Sequence, residues 1–135
     1  MSRTDVFFDT NIVVYLASEA EEKARIAERL LRSGGTVSVQ VLNEFANVAL
    51  RKRRLTFDGV HTTLAAVRAS CRVVDLTIDT HERGLALSER YRLGTFDAMI
   101  VAAAQLAGCT TLYSEDMHDG LTIDRLTIRN PFITS

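Results

Sequence analysis

Val6-Phe7-Phe8-Asp9-Thr10-Asn11-Ile12 opens with three β-prone apolar residues, breaks at an acid, and passes into a segment with helical periodicity over 11–32. Working outward, the same alternation repeats. Gly34-Gly35 stops the first helix, and Thr36-Val37-Ser38 reads as a second short strand. Val41, Leu42, Phe45, Val48 and Ala49 recur at spacings of three and four and predict a helix over 39–54. Val60, Leu64 and Val67 predict another over 57–70, and residues 72–76 read as a third strand. Asp79 with Glu82 has the spacing of a capping box and opens a helix to about residue 92, closed by Gly94. Thr95 is placed to cap a helix over 96–107, which Gly108 ends. Residues 110–113 form a fourth strand, and Leu126-Thr127-Ile128 suits a short fifth. Strands separated by helices pair in parallel, so the expected fold is a layered α/β domain with a short, mainly parallel sheet of four or five strands flanked by helices.

The bulk numbers fit one domain spanning 1–135. Apolar residues make up 47% and charged residues 24%, the balance of a folded globular chain. The run from Ala98 to Ala104 is far short of a membrane span, and the start, Met1-Ser2-Arg3-Thr4-Asp5, has no leader pattern. A soluble, cytoplasmic protein with no membrane attachment is expected. Cys71 and Cys109 lie in or beside apolar runs and outside any CxxC pattern, which predicts buried free thiols and no structural zinc. The net charge of −1 gives no bulk attraction to nucleic acid, so any such binding needs a local patch or a bound cation.

Four acids stand out by position. In open α/β sheets ligands bind beyond the carboxyl ends of the strands. Asp9 ends the first strand, and Asp116 follows the fourth. Asp97 lies in the first turn of the helix before that strand, and Glu44 lies within the helix after the second. Three of them have apolar neighbours: Val6-Phe7-Phe8 before Asp9, Met99-Ile100-Val101 after Asp97, and Val41, Leu42 and Phe45 around Glu44. Desolvated acids brought together repel, and a divalent cation is the usual compensation. Carboxylates without Cys or His select Mg²⁺, or Mn²⁺, over zinc. Taken singly, each acid has a plain reading: Asp9 as a helix cap, Asp97 as a dipole-balancing acid, Glu44 as a solvated helix residue, Asp116 as part of a turn. Convergence on one sheet edge favours the site.

Phe8-Asp9-Thr10-Asn11-Ile12, Gln40-Val41-Leu42-Asn43-Glu44-Phe45, Thr95-Phe96-Asp97-Ala98-Met99-Ile100-Val101 and Leu112-Tyr113-Ser114-Glu115-Asp116-Met117 resemble, in order, the four signature segments of PIN-domain nucleases, and more narrowly VapC-type toxins of toxin–antitoxin modules. The resemblance implies a three-layer PIN-like fold. It implies an endoribonuclease that uses Mg²⁺ to activate water for hydrolysis of RNA phosphodiester bonds, leaving a 5′-phosphate. Asp9, Glu44, Asp97 and Asp116 match the family's catalytic, metal-binding acids. Asn11 and Ser114 match residues that position the acids, and Asp119 is a further candidate. The implied partners are RNA, a cognate antitoxin and a second copy of the chain.

Two other readings compete. A phosphotransfer protein would use Asp9 as an aspartyl nucleophile, but it would want a late lysine, and no lysine follows Lys52. A silent PIN-like scaffold would bind RNA or a partner without cutting, and the intact quartet speaks against that. His61, His81 and His118 are scattered; His118 lies near Asp116, where it could touch substrate or be an ordinary surface-loop residue. Arg51-Lys52-Arg53-Arg54 is the one dense basic run, open to reading as a phosphate contact or as a solvated helix end.

Overall fold

The computed structural model describes residues 5–133, so the leader reading of Met1 to Thr4 lies outside the described residues. Among the described residues the sheet contains six strands: β1 (Val6–Phe8), β2 (Gly35–Ser38), β3 (Cys71–Val74), β4 (Thr111–Tyr113), β5 (Thr122–Ile123) and β6 (Leu126–Arg129). Their order is β3-β2-β1-β4-β6-β5, parallel throughout except for the β5–β6 hairpin. The four- or five-strand expectation is thus low, because β5 has only two residues and no periodicity to display. β1 is central, and all three of its residues are buried, which explains its uninterrupted apolar sequence.

The helices are α1 (Thr10–Val14), α2 (Glu21–Arg32), α3 (Val39–Arg51), α4 (Phe57–Ser70), α5 (Ile78–Tyr91) and α6 (Thr95–Leu106). The single helix expected over 11–32 is broken. A 3₁₀ turn at Tyr15–Ala17 follows α1, Ser18 turns extended, and its hydroxyl accepts Ala20 N at 3.0 Å. Such local side-chain bonding competes with helix continuation. The apolar stripes fall largely where their spacing put them. Val41, Phe45 and Ala49 are buried on α3, Val60 and Val67 on α4, and Ala27 and Leu31 on α2.

Helix ends differ in detail. The capping box of α5 is Thr77 with Thr80, two residues before the Asp79–Glu82 pair. Arg92, at φ 57°, ends α5, while Gly94 caps the start of α6, so Thr95 is its first residue rather than its cap. β3 stops at Val74, short of residue 76, because its partner β2 ends at Ser38 and turns directly into α3. Gly84 lets α5 lie close on α6: a Cβ there would stand 2.3 Å from Met99 Sδ and 3.3 Å from Met99 Cα. Cys71 and Cys109 are buried thiols not joined in a disulfide, as expected, and burial pushes the Cys71 thiol up to about 11.

The chain runs outward from β1 to β3 and then returns across β1 to β4. The order reverses at β1 and β4, which makes a crevice at their carboxyl ends. Asp9 and the 114–116 segment emerge there.

Candidate active site

Asp9 follows the last residue of β1, and its amide donates to Tyr113 O at 2.9 Å, carrying the β1–β4 ladder one step further. Its carboxylate is therefore aimed by a central strand. Ser114, just after β4, is fully buried, and its amide donates to Arg129 O at 2.9 Å. Glu44 comes from α3, whose start is fixed by Ser38, the last residue of β2, accepting Val41 N at 3.4 Å. Asp97 sits in the first turn of α6.

All four acids line one cavity of about 350 Å³, together with Thr10, Asn11, Val14, Asn47 and Val48. Hydrogen bonds hold three of the carboxylates, those of Asp9, Glu44 and Asp116. Asp9 Oδ1 accepts Thr10 N at 2.7 Å; Asp9 Oδ2 accepts Ser114 Oγ–H at 2.7 Å and Asn11 Nδ2–H at 3.2 Å. The same Asn11 amide donates to Asp116 Oδ2 at 3.2 Å, and Asn11 Oδ1 accepts Glu115 N at 3.1 Å. Thr10 donates its hydroxyl to Glu44 Oε1 at 2.5 Å, and Gln40 donates to Glu44 Oε2 at 3.4 Å and to Phe96 O at 3.2 Å.

A family model described as "PIN domain" matches residues 6–118. The chain belongs to the PIN-domain family. A toxin–antitoxin complex from Klebsiella pneumoniae is similar at 25% identity and TM-score 0.72, covering 94% of this chain and 98% of that one. VapC20 of Mycobacterium tuberculosis, a toxin that cleaves the sarcin–ricin loop, is similar at 24% identity and TM-score 0.66, covering 82% of this chain and 89% of that one. VapBC2 of Rickettsia felis, bound to DNA from its promoter, gives 20% identity and TM-score 0.65, with coverage of 93% and 97%. A comparison with curated protein sequences found no match.

The electrostatics of the PIN cavity are those of surplus negative charge. No Lys or Arg is among its lining residues. Burial raises the Asp9 carboxyl to about 6 against the pull of Ser114 and Thr10, with Asp97 and Glu44 adding repulsion. Burial likewise raises Asp97, helped by Asp116 and Glu44. Carboxylate and amide oxygens are hard donors, and surplus charge is what a divalent cation relieves, so the residues fit Mg²⁺ or Mn²⁺. Among the described residues no three His, Cys, Asp or Glu side chains stand close enough together to hold a metal ion between them.

Some expected and some unexpected residues fall elsewhere. Asp119 does not line the PIN cavity; its Oδ1 accepts Asn130 N at 2.8 Å and fixes a turn. His61, His81 and His118 are exposed and also outside the lining. Thr10, Gln40 and Asn47 are parts of the site that sequence reasoning missed. The first of these had a signal, its place between two site residues, and the others look like ordinary helix polar residues. A further unforeseen group braces the 114–116 segment: Tyr15 donates to Glu115 Oε1 and Lys23 to Glu115 Oε2, each at 2.5 Å. Burial works against ionising Glu115, but these hydrogen bonds prevail and hold its carboxyl below the usual range.

Proposed function

We propose that this PIN domain is a Mg²⁺-dependent endoribonuclease and the toxin member of a toxin–antitoxin pair. The observation that carries the reading is the meeting of Asp9, Glu44, Asp97 and Asp116 in one cavity that offers no cation of its own.

In this reading Asp9 and Asp97 hold the ion, with Glu44 and Asp116 completing the site directly or through water. When bound, the ion supplies a water of lowered pKa and a positive charge against the scissile phosphate. The remaining work belongs to the chain. Asn11 spans Asp9 and Asp116 and keeps the two carboxylates at a set separation. Ser114 holds Asp9 in one rotamer, and Thr10 and Gln40 hold Glu44 at the cavity wall. Val14 and Val48 close the cavity's apolar side. The ionised form of each acid is the form that binds, so Asp9 must lose its proton for the site to work.

The structural likenesses support the partners. One similar structure is a toxin–antitoxin complex, and another is a VapBC pair. An inhibitory antitoxin and a homodimer follow by analogy. Among the described residues no helix is long and apolar enough to cross a membrane, and a cytoplasmic location is part of the same proposal.

The test is cleavage of RNA by the purified chain. Mg²⁺-dependent cutting that EDTA stops, and that Asp9→Asn and Asp97→Asn each abolish without changing the circular dichroism spectrum, is the expected result. RNA binding with no cutting in either Mg²⁺ or Mn²⁺ would leave the scaffold reading in its place.

A further inference from the structure

The run Arg51-Lys52-Arg53-Arg54 takes no part in the contacts described above. It sits where α3 turns back on itself. Lys52 N and Arg53 N both donate to Val48 O, at 2.8 and 3.2 Å, and Leu55 N returns to Ala49 O at 2.9 Å. Arg54 makes the turn with φ 54°. All four side chains are exposed, and none forms a hydrogen bond or ion pair with another described residue. The cations of α2 differ: Arg32 is paired with Glu28, and Glu21, Glu22 and Glu28 are interspersed with Arg25 and Arg29.

A helix C-terminus attracts positive charge, but its partial charge is only about half an electron. One cation offsets that. Three more, adjacent and unpaired, concentrate a local positive potential that attracts a polyanion.

Their position at the end of α3 points to the anion. Glu44, Asn47 and Val48 line the acidic cavity. Arg51 follows Glu44 by seven residues, which places it about 20° round the helix and about 10 Å further along it. One helix face therefore leads from the acids, past Asn47 and Val48, to the basic turn. An acidic cavity with a bound ion accommodates one phosphate of a polyanion. The flanking phosphates meet no attraction from a chain of net charge −1 and need a local patch.

We propose that Arg51, Lys52, Arg53 and Arg54 form a phosphate-binding subsite for the RNA backbone beside the scissile bond, with the strand leaving the cavity along α3. This rests on the nuclease reading. Arginine suits the role because its planar fork matches phosphate oxygens.

The test measures binding of a short, mixed-sequence single-stranded RNA across a salt series, in the Asp97→Asn background so that the strand stays intact. Replacing all four residues by Gln is expected to weaken binding. It is also expected to reduce the slope of log affinity against log salt by about 0.7 for each phosphate no longer neutralised. Arg51→Gln alone is expected to reduce it by about 0.7, which keeps the measurement readable should the fourfold variant fail to fold. In the active chain the fourfold variant raises KM several-fold and leaves kcat nearly unchanged. Replacing Arg25, Arg29 and Arg32 by Gln moves neither slope nor KM. An unchanged slope and KM in a folded, cleaving fourfold variant overturns the subsite. So does an equal effect from the α2 set, or tighter binding of a polyglutamate peptide than of RNA, which would make an acidic protein segment the occupant. Absence of cleavage by the unmodified chain strikes the nuclease reading instead, and the salt slope still reports on the subsite.

Discussion

Ser114 Oγ stands 2.7 Å from Asp9 Oδ2, although 105 residues separate them. Both side chains are buried, at 0% and 5% exposure, and the bond joins the ends of the two strands between which the sheet order reverses. The same hydroxyl oxygen accepts Met117 N at 3.3 Å, so Ser114 ties the acid of β1 to the loop carrying Asp116.

Ser114→Ala leaves Met117 N without its partner and takes one donor from Asp9. Loss of a buried hydrogen bond of this kind costs about 1–3 kcal/mol, to be read from urea denaturation. The Ser114 bond lowers the Asp9 pKa, so its removal moves the acidic limb of the pH–rate profile upward. A profile that does not move would separate Ser114 from the ionisation of Asp9.

Asn11→Asp exchanges the amide that bridges Asp9 and Asp116 for a fifth carboxylate. Two donated hydrogen bonds become repulsions. Cleavage or Mg²⁺ affinity is expected to fall about 10- to 100-fold, the usual cost of losing a group that orients metal ligands. Retained activity would show that the separation of Asp9 from Asp116 does not matter.

Thr10→Val keeps the side chain's shape and removes its bond to Glu44. Gln40, at 3.4 Å, is then the remaining support. Activity is expected to drop at least about tenfold, with Thr10→Ser restoring most of it. Equal loss in both variants would place the cause in packing rather than in the hydroxyl.

The raised Asp9 carboxyl gives the metal-free chain a stability contribution whose sign follows from that shift. Asp9 holds its proton up to about pH 6 when folded, against 3.8 for the solvated group. Between these values the folded state binds more protons than the unfolded state, so stability falls as pH rises. The Asp9 contribution is complete below the lower value and lost above the higher one, on the order of 2–3 kcal/mol in all. Asp97 acts in the same direction. Denaturation in EDTA across this window checks it, and Asp9→Asn should flatten the fall. Saturating Mg²⁺ should remove it too, since the ion favours the ionised carboxylates.

The convergence of the four acids on one cavity is legible in the sequence because three of them interrupt or border apolar, strongly periodic segments and Asp116 comes just after a strand, so their places in a parallel sheet can be reasoned out. Asp9 and Asp116 follow strand ends, and Asp9 has no solvated neighbourhood among Val6, Phe7, Phe8 and Ile12. The supporting residues are less visible. Gln40 and Asn47 are neutral residues on a helix and have the appearance of surface until the tertiary contacts place them. The break between α1 and α2 is hidden because its cause, a single bond from Ala20 N to the Ser18 hydroxyl, leaves the composition helical. Asp119 follows Asp116 by three residues, and the chain reverses before its side chain can reach the other acids, giving it Asn130 instead.

Titration calorimetry with Mn²⁺ and Mg²⁺ addresses the central claim without needing an RNA target. Saturable uptake by the unmodified chain is predicted, sharply weakened in both Asp9→Asn and Asp97→Asn while each variant keeps its fold. No uptake, or uptake undiminished when either carboxylate is neutralised, would contradict it.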